Sequence, residues 1–191
     1  MKRNTLYSII ILVVLAIAAY LALNREGEVS STRSSGTMLV HYDSTSVDKL
    51  EFISPTGSVV LERLAGVWML TSPVRYKADE TAVASAVGKG RTIEYTSLVS
   101  TNPEKQRLFQ VDSAGTLVKV YEKGVRTAAF HIGKASSSFT ETYVRLEGSN
   151  DVRLANEVLS SYFVKQPKEW RDKTIFKIDE GKIKNVKQKH D

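Results

Sequence analysis

Residues Leu6 to Leu23 read LYSIIILVVLAIAAYLAL, eighteen consecutive residues without a charge. As a helix rising about 1.5 Å per residue, the run covers about 27 Å, enough to cross the hydrocarbon core of a bilayer. A helix lying on a soluble core would carry polar residues along its outer face, and this run has no such face. Lys2 and Arg3 precede it, whereas Arg25 is followed closely by Glu26 and Glu28. The positive bias of the short N-terminus predicts a cytoplasmic segment over 1–5, a transmembrane anchor over 6–23, and everything later on the outer side. A cleaved leader competes with this reading. Leaders have apolar regions of roughly 7–15 residues that end at a small-x-small site. This run is longer and closes on Leu21, Ala22, Leu23 and Asn24, so a retained single-pass anchor is expected.

The next stretch, REGEVSSTRSSGT (Arg25 to Thr37), is polar and rich in serine. It predicts a flexible linker over 24–37, ahead of a folded extracytoplasmic (periplasmic) domain over 38–191. With 42% hydrophobic and 25% charged residues, the chain has the composition of a folded protein. It has no cysteine, which removes disulfides, thiol chemistry and thiolate metal sites. The net charge of +6 sits at the ends of the chain. Lys2 and Arg3 account for two positive charges, nine Lys/Arg against five Asp/Glu lie from Lys165 onward, and Asn4 to Val164 holds sixteen of each sign. A nucleic-acid binder carries its basic patch on the folded domain, so nucleic acid is not an expected partner.

From Val40 onward, short alternating runs separated by turn residues dominate. KLEFI, the turn SPTG (Ser54 to Gly57) and SVVLER predict a hairpin, and Ala65-Gly66 leads into a third strand, VWML. Val67 and Met69 share one face of that strand, Trp68 and Leu70 the other, and Pro73 stops it. Asp79 is a good N-cap for a helix running to about Val87, ended by Gly88 and Gly90. Pro103 to Gln110 predicts a short helix with Pro at its first position. Thr116 to Gly133 gives two strands about Glu122-Lys123-Gly124, and ETYVRLEG and DVRLA add two more about Gly148-Ser149-Asn150. NEVLSSYFVKQ predicts a helix closed by Pro167. The fold class is therefore α+β, a mostly antiparallel sheet with about three short helices.

Catalytic and cofactor constellations are missing from this pattern. His41, His131 and His190 have no partner at metal-ligand spacing, so no metal is expected. GKASSS (Gly133 to Ser138) lacks the first glycine of a phosphate loop and the hydroxyl that would meet magnesium. VDSAG (Val111 to Gly115) is spoiled as an aspartic-protease turn by Ala114, and no G-x-S-x-G elbow occurs. Asp79-Glu80 and Asp179-Glu180 are adjacent in sequence, so their side chains diverge. No cofactor is implied. Trp68, Tyr143 and Arg145 are the residues placed to meet a protein partner at the surface. The basic tail KNVKQKH reads as a solvated end in preference to a contact for anionic headgroups.

Several motifs occur in a fixed order: Val47/Leu50/Phe52, Leu61/Arg63, Gly66/Trp68/Leu70, Pro73, Ala78/Asp79, Phe130/Ile132/Gly133, Tyr143/Val144/Arg145 and Trp170 to Asp179. From Val40 to the C-terminus the chain resembles the membrane-anchored bacterial family catalogued as domain of unknown function four-three-four-zero. The resemblance implies one N-terminal membrane helix and association with gliding-type ABC transporter components, and it supplies no catalytic residues. The tail FKIDEGKIKNVKQ (Phe176 to Gln188) follows the pattern of YDSTSVDKLEF (Tyr42 to Phe52) and is expected to complete its own sheet. The expected function is a non-enzymatic, partner-binding or accessory subunit of an envelope complex. The alternative is a small-ligand-binding domain or envelope hydrolase with its site between the Asp79 helix and the sheet.

Overall fold

The structure is a computed structural model and describes residues 12–14 and 37–174. Residues 12–14 are helical; the rest of the 6–23 run, the linker up to residue 36 and the tail from residue 175 lie outside the described residues. Among the described residues no helix is long and apolar enough to cross a membrane. The chain divides into two units, Met1–Arg33 and Ser34–Asp191, and all of the strands belong to the second.

The strands are β1 (Thr37–Met38), β2 (Val47–Ser54), β3 (Gly57–Leu64), β4 (Val67–Ser72), β5 (Tyr76–Lys77), β6 (Glu94–Ser100), β7 (Thr116–Glu122), β8 (Val125–Ala135), β9 (Thr142–Leu146) and β10 (Val152–Ala155). Helix α1 (Glu80–Arg91) follows β5, and a single-turn helix α2 (Ser160–Phe163) follows β10. The strands form one antiparallel sheet in the order β1-β6-β10-β9-β8-β7-β2-β3-β4-β5. This is the expected α+β architecture.

Alternation fixes the register. Leu50 faces Leu61 on β3 and Val120 on β7, while Phe52 faces Val59 and Val118. These pairs, with Phe130 and Ile132 of β8, form the inner face and are almost wholly buried. Each large side chain so buried stabilises the fold by roughly 1.5–3 kcal/mol. The intervening residues form a charged outer face. There Lys49 meets Glu51 at 2.8 Å and Glu62 at 3.4 Å, and Lys119 meets Glu51 at 3.8 Å. A one-residue slip would exchange the two faces, which excludes other registers.

Helix α1 covers part of the inner face. Asp79 caps it, its Oδ1 accepting the N–H groups of Thr81 and Ala82 at 2.9 and 3.1 Å. Val83, Ala86 and Val87 are buried against the sheet. The helix does not end at Gly88 as expected but runs on to Arg91. The reason is Gly90, whose bare Cα faces the Tyr42 ring, so the glycine serves close packing within the helix and is no terminator. The Tyr42 hydroxyl donates to Val87 O at 2.7 Å.

Two expected helices are shorter than their patterns suggested. Pro103–Lys105 is a 3-10 turn followed by irregular turns, ending where Gln110 takes a φ of +57°. The helix expected from Asn156 shrinks to α2, because the Thr142 hydroxyl donates to Glu157 O at 2.8 Å and accepts from Leu159 N at 3.0 Å. Those contacts keep residues 156–159 out of the helix, which begins only at Ser160. Beyond α2, a 3-10 turn at Pro167–Glu169 delivers Trp170 into the core. Residues 170–172 then run antiparallel to the chain after β5: Asp79 N donates to Trp170 O at 2.8 Å and Asp172 N to Lys77 O at 2.9 Å. The Lys77 ammonium, 2.9 Å from Asp172, holds that carboxyl well below the usual carboxylate range.

Candidate functional site

At the end of the sheet marked by the β2–β3 turn, the inner face opens into a cleft of about 440 Å³. Phe52, Val59, Ile132 and Phe163 form its base, and Ser54, Thr56, Gln110, Lys165 and Glu169 stand at its rim. The SPTG turn builds one wall: the Ser54 hydroxyl donates to Gly57 O at 3.0 Å and lies 3.0 Å from the Thr56 hydroxyl. The segment after α2 builds another. Glu169 accepts the Gln166 N–H at 2.7 Å, and the Lys165 ammonium rests 4.9 Å from the centroid of the Trp170 ring.

The third wall is the crossing segment 103–115, which lies against the outer face of β8 and β9 and turns into β7. Two glycines make the approach possible. A side chain at Gly115 would strike the carbonyl oxygens of Gln110 and Ile132, and one at Gly133 would strike that of Phe109. Phe109 packs on Tyr143 with ring centroids 4.7 Å apart, and Lys134 N donates to Phe109 O at 3.1 Å. Asp112 Oδ1 accepts Ala114 N at 2.9 Å and shapes the last turn.

Arg145 fastens this segment from below. Its Nε donates to Val111 O at 2.8 Å, and its Nη1 donates to Leu146 O at 3.2 Å and Ser149 O at 2.8 Å. The guanidinium thus joins the crossing segment to the β9–β10 turn. Its direct neighbour across the ladder is His131. That imidazole is buried, and its Nδ1 has no hydrogen-bond partner among the described residues. Burial pushes its pKa below the ordinary histidine range, and the Arg145 charge adds to the effect.

The three residues expected to meet a partner are not brought together. Tyr143 and Arg145 share the outer face of β9, whereas Trp68 lies on β4, five strands away in the sheet order. Trp68 is half-buried against the core. Arg145 is 8% exposed and committed to backbone carbonyls, so the expectation that it is read from the surface is corrected: it ties the fold. Tyr143 is half-buried under Phe109. Of the three histidines, His131 is buried as described and His190 lies outside the described residues. Among the described residues no group of three His, Asp or Glu side chains could hold a metal ion. The space between α1 and the sheet is filled by Val83, Val87, Tyr42 and Phe130, and the cleft lies elsewhere. Sequence reasoning missed the cleft, although Gly115 and Gly133, one before and one within a strand, were its local signal.

The fold and site define an antiparallel α+β domain with an apolar-based cleft at one end and with Tyr42, Thr142 and Arg145 engaged in the scaffold. Residues 68–191, more than half of the chain, match the family described as Domain of unknown function (DUF4340), and the chain belongs to that family. No curated protein and no solved structure matches it.

Proposed function

We propose that the chain is a single-pass membrane protein, its N-terminus cytoplasmic and its C-terminal domain extracytoplasmic, acting as a non-enzymatic partner-binding or accessory subunit of an envelope complex of the ABC-transporter type. The observation that carries the non-enzymatic part is where the polar side chains are spent. Asp79 caps α1, Tyr42 bonds Val87 O, Thr142 bridges Glu157 and Leu159, and Arg145 binds three carbonyls. Groups held this way stabilise backbone and are not poised for proton transfer. The uncharged run Leu6 to Leu23 supports the anchor. Purification of the tagged full chain in mild detergent tests the reading. An ATPase and a permease should co-elute, and recovery of the chain alone overturns it. A reporter fused after Thr37 tests the topology and should be active only outside the cytoplasm.

The cleft favours a second reading, a small-ligand-binding domain. Its volume lies within the range that holds small organic molecules. Lys165, without a carboxylate partner among the described residues, gives the apolar base a cationic rim. Short-chain carboxylates that raise the melting temperature of the chain, with the rise lost in Lys165→Glu, would favour this reading over the first.

A further inference from the structure

We propose that the β8–β9 turn, residues 136–141, is a lipid-contact loop that seats Phe139 in the headgroup layer of the bilayer; this rests on the anchored reading above. Phe139 is 77% exposed, more than any other large hydrophobic side chain among the described residues. Its φ is +59°, a left-handed conformation that bulky side chains avoid. The turn is nevertheless held firmly. Ser136 N donates to Glu141 O at 2.9 Å and Phe139 N to Ser136 O at 3.1 Å. The hydroxyls of Ser136, Ser138 and Thr140 form a chain with spacings of 2.7 and 2.8 Å. A strained backbone thus fixes an aromatic ring in water, and strain of this kind gathers where a surface has a task.

The surroundings point to lipid. Ser137, Ser138, Phe139 and Thr140 are all exposed, so the turn projects as a narrow tip. A protein partner of ordinary affinity covers a broad face, on the order of 1,000 Å² in total, whereas a single ring flanked by hydroxyls suits the headgroup layer. At the base of the turn, Lys134 bonds Phe109 O, which brings the crossing segment and its 60%-exposed Leu108 alongside. Lys105, Arg107 and Lys134 supply positive charge there. Among the described residues only Arg107 of these three has a carboxylate within reach, Asp112 at 3.9 Å. Unpaired cations beside exposed apolar side chains complement an anionic bilayer surface. The chain also limits the distance. Residues 24–36, thirteen in all, separate the apolar run from Thr37, and fully extended they reach about 45 Å at most. Tethering at that range lets a weak contact persist.

The protein has no cysteine, so single labels can be placed in the full chain. Ser137→Cys and, at the opposite end of β8, the exposed Val125→Cys would each carry an environment-sensitive fluorophore. The chains would be reconstituted into phosphatidylethanolamine–phosphatidylglycerol vesicles containing a shallow spin-labelled lipid. The label at 137 should be quenched at least twofold more than the label at 125. Adding Phe139→Ser, or replacing phosphatidylglycerol with phosphatidylcholine, should remove at least half of that difference. Equal quenching at the two sites, or none at 137 in chains that sediment with the vesicles, overturns the lipid contact while leaving the anchor intact. Chains that stay in the supernatant overturn the anchored reading and the lipid contact together.

Discussion

Trp170 stacks on Phe52, ring centroids 4.8 Å apart and planes 24° from parallel, although 118 positions separate them in the chain. The stack joins the last described turn to the centre of the sheet. Trp170 is fully buried, so Trp170→Ala should destabilise the domain by about 3–5 kcal/mol. Urea unfolding followed by circular dichroism measures this. Trp170→Phe should recover much of the loss, because the indole Nε1 has no hydrogen-bond partner among the described residues to forfeit. Equal losses in the two variants would refute the packing account.

Arg145 should behave as a fastener. Arg145→Met leaves the carbonyls of Val111 and Ser149 without their charged donor, a cost on the order of 2–4 kcal/mol. The loss should be local at first, with amide exchange quickening at residues 106–112 before the central strands. Arg145→Lys should restore only part of the protection, since an ammonium cannot span both carbonyls as the planar fork does.

His131 makes a pH prediction with a definite sign. Its folded pKa lies below the ordinary 6.5, so below about pH 6.5 the unfolded chain binds a proton that the folded chain resists. The stabilisation is fully present above that pH and is lost as pH falls through the interval down to the folded pKa. Urea midpoints measured between pH 5 and pH 8 should decline on the acid side. In His131→Gln the part of the decline due to this group should vanish, and an unchanged profile would show that other groups carry it.

Gly90 and Tyr42 form a coupled pair. A Cβ at residue 90 would strike the Tyr42 hydroxyl, but it would lie 3.4 Å from the ring carbon that bears it. Gly90→Ala alone should therefore destabilise α1, against the gain of about 0.5–1 kcal/mol that alanine normally brings to a helix interior. In the Tyr42→Phe background the same substitution should become neutral or stabilising. Tyr42→Phe by itself should cost about 1 kcal/mol for the lost bond to Val87 O. A double-mutant cycle of thermal midpoints checks the sign of the coupling.

Much of the fold was legible because local chemistry and packing agree there. The SPTG turn, the alternation of Leu50 and Phe52 against Val59 and Leu61, and the Asp79 cap each state their own structure. β6 escaped notice because EYTSLVS is mostly polar and it lies near the margin of the sheet, where half-buried Thr and Ser replace an apolar alternation. The helix expected at Asn156 was overruled by Thr142, a hydroxyl fourteen residues upstream that no local pattern can announce. Trp68 was read as a surface residue for a partner but is half-buried against the core, and Trp170, in a segment rich in charge, is the fully buried tryptophan. The cleft depends on three distant turns meeting, and Arg145 was misplaced because a lone arginine in a strand gives no sign of which carbonyls await it.

The sheet order also has a mechanical consequence. Thr37 sits on the strand at one margin of the sheet, and Asp172 is tied beside the strand at the other. Tension between whatever precedes the first and whatever follows the second would cross every ladder in succession. Such a load peels strands from the rims inward, and the stapled stretch 170–172 would be among the first to yield.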